Sequence, residues 1–119
     1  GHFIHGDLAA PDLPRGSFDA VVSFYALEGM PRAEHAAVLQ HAHDLLRPSG
    51  YLLLATEPMD RESVTGVCRG MRMRISGFDA DTLLRIVGDA GMSLLESKIE
   101  TQNERGHDVP FLWILAQRD

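Results

Sequence analysis

The chain has 119 residues, 45% hydrophobic and 24% charged, the proportions of one globular domain whose core needs neither disulfides nor a structural metal. Its net charge of −6 repels phosphate backbones and argues against a nucleic-acid partner, since the only basic cluster is Arg69, Arg72 and Arg74. The single cysteine, Cys68, cannot form an internal bridge and points to the cytoplasm, and no apolar run approaches the ~20 residues of a membrane span.

Gly1-His2 has the form of a tag remnant and carries no functional weight. Phe3 to His5 reads as a short strand ending at Gly6-Asp7, and Pro11, Pro14 and Gly16 punctuate the loop that follows. The run FDAVVSFYAL, Phe18 to Leu27, has the continuous apolar character of a strand buried in a parallel sheet. Pro31 opens a helix whose residues Val38, Leu39, Ala42, Leu45 and Leu46 recur at helical spacing to about Arg47. Pro48-Ser49-Gly50 ends it, and Tyr51 to Thr56 forms a second apolar strand.

Residues 57–77 show no clean period and read as a loop or short irregular helices, a lid over one face of the core. Asp79 then caps a helix whose Leu83, Leu84, Val87 and Ala90 share a face and which ends at Gly91. Two strands, about Ser93 to Thr101 and Phe111 to Gln117, close the chain as an antiparallel pair around Arg105-Gly106-His107. The pattern is a single α/β domain over 1–119, a sheet with helices on its faces and a terminal antiparallel strand pair.

Three segments, FIHGDL, GSFDAVVSFYAL and LLRPSGYLLLAT, together with the tail GMSLLESKIETQ and VPFLWILAQR, resemble the class I, Rossmann-like S-adenosylmethionine-dependent methyltransferases. The resemblance covers nearly the whole chain. It implies a sheet ordered 3-2-1-4-5-7-6, with the cofactor at the crevice where the order reverses. It also implies that this chain corresponds to the carboxyl-terminal part, because the G-x-G-x-G turn that approaches the methionine moiety and the acid that holds the ribose are both absent. Gly66, Gly70 and Gly77 have the wrong spacing and context to replace that turn.

On that resemblance Asp7 corresponds to the acid that accepts from the adenine amino group, with Leu8 against the ring. Ser23, Phe24 and Tyr25, at the carboxyl end of the fourth strand, would flank the methionine part. Each has a plainer reading: Asp7 as the start of a turn, Phe24 and Tyr25 as core. Relatives often carry a histidine where this chain has Gly29, which weakens any general-base role there and leaves the catalytic residue unknown. Glu28 and Arg72 are the candidates for contacting the substrate, although the arginine cluster equally suits surface charge balance.

Asp19 reads as a structural acceptor for backbone amides at the strand entry. His35, His41 and His43, with gaps of six and two in sequence, lack the spacing of metal ligands on one helix and read as solvated, so no metal is expected. Cys68 reads as a small packed residue.

The function implied is methyl transfer from S-adenosylmethionine to a small-molecule acceptor in a longer form, with the 119-residue chain binding the cofactor weakly and inactive alone. The alternatives are a non-catalytic module for self-association or partner binding, and a nicotinamide dehydrogenase, which the tail disfavours. With the first two strands absent, the strand at Phe18 to Phe24 should present a free edge and form a homodimer, by edge pairing or by exchange of Phe3 to His5.

Overall fold

The computed structural model describes residues 1–68 and 70–119; of Ser63, Val64, Gly66, Val67 and Cys68 only the strand backbone is described. The readings of Arg69 and of the Cys68 side chain therefore lie outside the described residues. Four strands form the main sheet: β1 (Phe18–Phe24), β2 (Leu46–Thr56), β5 (Met92–Glu104) and β6 (His107–Arg118). Two helices, α1 (Arg32–Leu45) and α2 (Ala80–Asp89), and a separate hairpin of β3 (Arg61–Cys68) and β4 (Met71–Gly77) complete the architecture.

The sheet order is β1-β2-β6-β5, the 4-5-7-6 portion of the order implied by the resemblance. β1 and β2 run parallel, whereas β6 is antiparallel to both β2 and β5. Register explains the apolar runs. Leu52, Leu54 and Thr56 of β2 face the same side as Ala116, Ile114 and Leu112 of β6, and all six are buried. Leu39 and Ala42 of α1 and Leu83 and Val87 of α2 join them in one core cluster. Both helices therefore pack on one face, and β2 is apolar throughout because its other face carries Tyr51, Leu53 and Ala55 beside Leu115 and Trp113.

Local signals set the element ends. Asp79 caps α2 by accepting the Thr82 amide at 3.0 Å, and Gly91 follows with φ +90, a left-handed position that glycine takes without strain. The β5–β6 turn places Arg105 and Gly106 at φ 50 and 84, the pair of positive angles that suits the twist of a tight hairpin.

Four expectations are corrected. Phe3 to His5 forms no strand: it has no ladder partner among the described residues, and Phe3 is 99% exposed. Among the described residues of 57–77 there is no helix; the segment forms the β3–β4 hairpin, whose ladder pairs Arg61 with Gly77 and Cys68 with Met71. Asp19 does not serve backbone amides; its Oδ1 accepts from Arg47 Nε at 2.7 Å, and its side chain is 86% exposed. His35 is buried rather than solvated, its Nε2 3.0 Å from the Met30 carbonyl oxygen and its ring edge-on to Phe78.

Gly50 shows where the backbone allows no side chain: a Cβ there would lie 2.9 Å from the Arg47 carbonyl oxygen and 3.1 Å from that of Asp19. Gly50→Ala should therefore cost about 1–3 kcal/mol, seen as a lowered melting temperature. Asp19→Ala, which breaks only an exposed ion pair, should stay within about 0.5 kcal/mol of the parent in the same melts.

Candidate functional site

The parallel pair β1–β2 ends beside the long cleft of the molecule, and the chain reverses there by way of one unusual residue. Tyr25 has φ 57, a left-handed conformation that costs a bulky side chain energy and that clusters at functional positions. It is held by its amide, which donates to the Ala55 carbonyl at 2.9 Å, and by its ring against Phe111 at 4.7 Å between centroids. Phe24, one residue earlier, lies 5.5 Å from the Trp113 ring on the face that the helices do not cover.

A cleft of about 430 Å³ runs along the free edge of β1 and over α1, with almost entirely apolar walls that include Leu8, Leu13, Ser23, Phe24, Val38 and Leu45. Three of the five residues expected at a cofactor site, Leu8, Ser23 and Phe24, thus share one cleft. Asp7 lines a shallower, adjoining depression with His5, Leu8 and Met30. Its Oδ1 accepts from the Ala9 amide at 2.9 Å and its carbonyl from the Ala10 amide at 3.1 Å, so the plain role of starting a turn is present. Tyr25 does not line this cleft; its ring turns toward Phe111.

From Tyr25 the chain enters a single 3-10 turn, Leu27–Gly29, that brings Glu28 to the end of β2. Glu28 Oε1 accepts from the Glu57 amide at 3.1 Å. Glu57 in turn takes an ion pair from Arg61 Nη2 at 3.0 Å, and the Arg61 Nε is buried with no partner among the described residues. Burial pushes the Glu28 carboxyl up to about 6, the Glu57 carboxylate adds to the rise, and the Glu57 amide and Arg61 pull against it.

A second polar group fixes the far side of the hairpin base. Arg32 of α1 pairs with Asp60 and, through Nε, with Glu62 at 3.6 Å, and its guanidinium lies 4.7 Å from the centre of the Phe78 ring. Arg72 sits in β4 and is exposed with Arg74 on the face opposite Met71 and Met73. On α1, His41 lines the cleft and His43 pairs with Asp44 at 2.9 Å, an interaction that holds the Asp44 carboxyl below the usual range. Among the described residues no group of three or more histidine, cysteine or carboxylate side chains is placed to hold a metal ion, and no helix is long and apolar enough to cross a membrane.

Sequence reasoning missed His35, Arg32 and Arg61. For His35 a signal existed: it falls on the buried stripe with Leu39 and Ala42, at spacings of four and three residues. For Arg32 none did, because its partners Asp60 and Glu62 are distant in sequence; Arg61 has a local partner in Glu57, but nothing in the sequence marks that pair as buried.

A family model described as a methyltransferase domain matches residues 1–50. No curated protein matches the chain. Solved structures match in fold. A S-adenosylmethionine-dependent methyltransferase from Methanosarcina mazei superposes with a TM-score of 0.80 at 17% identity, covering 95% of this chain and 65% of that one. The 1,6-didemethyltoxoflavin-N1-methyltransferase of Burkholderia thailandensis, solved with 1,6-didemethyltoxoflavin and S-adenosylhomocysteine, gives 0.73 at 17% identity, covering 98% and 50%. A S-adenosylmethionine-dependent methyltransferase from Mesorhizobium loti gives 0.71 at 19% identity, covering 95% and 67%. The chain thus spans between half and two thirds of the length of these three. A methyltransferase-domain family model thus matches residues 1–50, and over nearly its whole length the chain shares the fold of these solved methyltransferases.

Proposed function

We propose that this chain supplies the carboxyl-terminal half of an S-adenosylmethionine-dependent methyltransferase that acts in the cytoplasm on a small-molecule acceptor. The observation that carries the reading is the meeting of Leu8, Ser23 and Phe24 in one apolar cleft that runs along β1 and reaches its carboxyl end, the end at which open α/β sheets place their ligands. The cleft walls suit an adenosyl group. Leu8 would lie against the base with Asp7 beside its amino group, while Ser23, Phe24 and the backbone of Tyr25 would flank the rest of the cofactor. The cofactor supplies an electrophilic methyl group. The protein's own residues contribute alignment and exclusion of water, with Glu28 and Arg72 facing the acceptor and the β3–β4 hairpin as the cover.

No glycine turn and no ribose acid are present in the 119 residues, so the chain alone should be inactive and bind S-adenosylhomocysteine only weakly. Titration calorimetry measures this directly. A dissociation constant in the low micromolar range would overturn the weak-binding expectation. A version extended upstream that also fails to bind, or that binds no better after Phe24→Ala, would overturn the cofactor reading.

A second reading, self-association as a homodimer, is favoured by a specific feature: β1 has β2 as its only ladder partner among the described residues, and Val22 and Phe24 are 54% and 46% exposed. An apolar edge of this kind recruits another strand. Antiparallel pairing of two β1 strands about a two-fold axis would satisfy both edges; exchange of the Phe3 to His5 segment is the other geometry. Light scattering at tens of micromolar should show a dimer, and Val22→Pro should dissociate it if the β1 edge is the interface. A monomer refutes the reading.

A further inference from the structure

The main sheet has two outer strands, and β5, the one opposite β1, has β6 as its only ladder partner among the described residues. Every residue from Ser93 to Thr101 is exposed, Ile99 at 57%. The direction of its free backbone groups follows rung by rung from one bond. The Tyr25 amide donates to the Ala55 carbonyl, so Ala55 turns its backbone groups toward β1, and Leu54 and Thr56 turn theirs toward β6, because successive residues of a strand alternate. Leu54 stands opposite Ile114 and Thr56 opposite Leu112, which leaves Phe111, Trp113 and Leu115 to bond β5. Their partners there are Glu100, Lys98 and Glu96. The amides and carbonyls of Ser97, Ile99 and Thr101 therefore point away from the sheet. Pro110 agrees with this assignment: it stands opposite Thr101, a rung that requires no N–H.

We propose that the β5 edge from Glu96 to Gln102 is a surface by which this chain binds a second copy of itself, the two strands running antiparallel about a two-fold axis at Ile99. Such an axis sets each residue opposite the one equally far on the other side of Ile99. Lys98 meets Glu100 of the second copy, Ser97 meets Thr101, and Glu96 meets Gln102, so no like charges face each other. The Ile99–Ile99 and Ser97–Thr101 rungs exchange both N–H···O bonds. Lys98 and Glu100 fall on the intervening rungs, where side chains are closest and opposite charges directly across stabilise the pair. Within one strand these two charges already lie 3.8 Å apart, and the dimer sets four of them in an alternating square on the face that the helices do not cover.

Lysines and bulges commonly blunt the edges of sheets. Here the bulge lies at Leu95, between the Leu94 and Glu96 rungs, and from Glu96 to Glu104 each residue has its partner in β6. Lys98 deters a strand of arbitrary sequence, but with a glutamate two residues to either side it favours this same sequence reversed. An axis moved to Ser97 would put Ile99 opposite the bulge at Leu95, and one moved to Thr101 would put it opposite Asn103. This interface needs neither the cofactor nor the edge of β1. The two edges lie at opposite ends of one sheet, and pairing at both would link copies into an assembly longer than a dimer.

The experiment is sedimentation velocity on the whole chain, with amide hydrogen exchange by NMR at rising protein concentration. At tens of micromolar the chain should associate. The Ser97, Ile99 and Thr101 amides should gain protection as it does so, while those of Lys98 and Glu100, bonded to β6, stay protected at every concentration. Val22→Pro should leave these changes in place. Ile99→Pro, which removes an N–H that the single chain does not use, should abolish them. Lys98→Glu should weaken this contact about tenfold or more, and combining it with Glu100→Lys should restore the parent affinity, because the exchanged charges meet again across the axis. A monomer at that concentration, protection gained at Ala20, Val22 and Phe24 in place of β5, association indifferent to Ile99→Pro, or no rescue by the charge exchange would each overturn the proposal. Protection at β1 alone would leave the β1 dimer standing, and loss of association in Ile99→Pro but not in Val22→Pro would remove that dimer and support this one.

Discussion

The last rung of the β1–β2 ladder sets the geometry of everything at the carboxyl end of the sheet. That rung is the bond from the Tyr25 amide to the Ala55 carbonyl. By pinning Tyr25 in a left-handed conformation, it ends β1 without a loop and sends the chain back over β2 within three residues. A non-glycine residue holds such a φ only when its surroundings over-determine it, and here the Phe111 and Phe24 rings do so. The 3-10 turn, the reach of Glu28 to Glu57 and the docking of the β4 end all follow from that one reversal.

A second constraint comes from the distribution of helices. Because α1 and α2 lie on the same face, burial is one-sided: Leu52, Leu54, Ile114 and Ala116 are almost inaccessible, while Val22, Phe24 and Tyr51 on the opposite face remain about half exposed. Aromatic contact between Phe24 and Trp113 covers part of that face, and Ala55 is fully buried beneath it. The Trp113 indole N–H is buried there with no acceptor among the described residues, a polar group of the kind that native structures normally satisfy.

What could be read from sequence divides along the same physical line. Elements specified by local chemistry were legible: α2 from Asp79, its apolar stripe and Gly91; the tail hairpin from its turn residues; β2 from an apolar run too continuous for a one-sided strand. The sheet order also followed once the resemblance was recognised, because it depends on element order. Elements whose stability is non-local were not. Phe3 to His5 has strand composition, but a strand is a pairing, and among the described residues no strand pairs with it. The β3–β4 hairpin did carry a period-two pattern, Met71, Met73 and Ile75 alternating with Arg72, Arg74 and Ser76, yet arginine on one face and glycine at Gly66, Gly70 and Gly77 masked it. Of the candidate site, the cleft residues Leu8, Ser23 and Phe24 were named by motif alone, whereas the burial of Glu28 depends on a turn at a tyrosine that no propensity assigns to the left-handed region.

The contrast between how the sheet and the hairpin are held has a mechanical consequence. The sheet and its two helices share one apolar cluster, a bulk interaction that is insensitive to the position of any one atom and to pH. The hairpin base is attached by directed polar contacts: Arg32 to Asp60 and Glu62, Arg61 to Glu57, and Glu28 to the Glu57 amide. Contacts of that kind are individually weak in water and sensitive to charge. The hold on the hairpin base is therefore expected to respond to charge and salt more than the sheet does. A fold that joins a hydrophobically sealed sheet to a hairpin whose base is held by ionisable groups places its charge-sensitive part beside the carboxyl ends of β1 and β2.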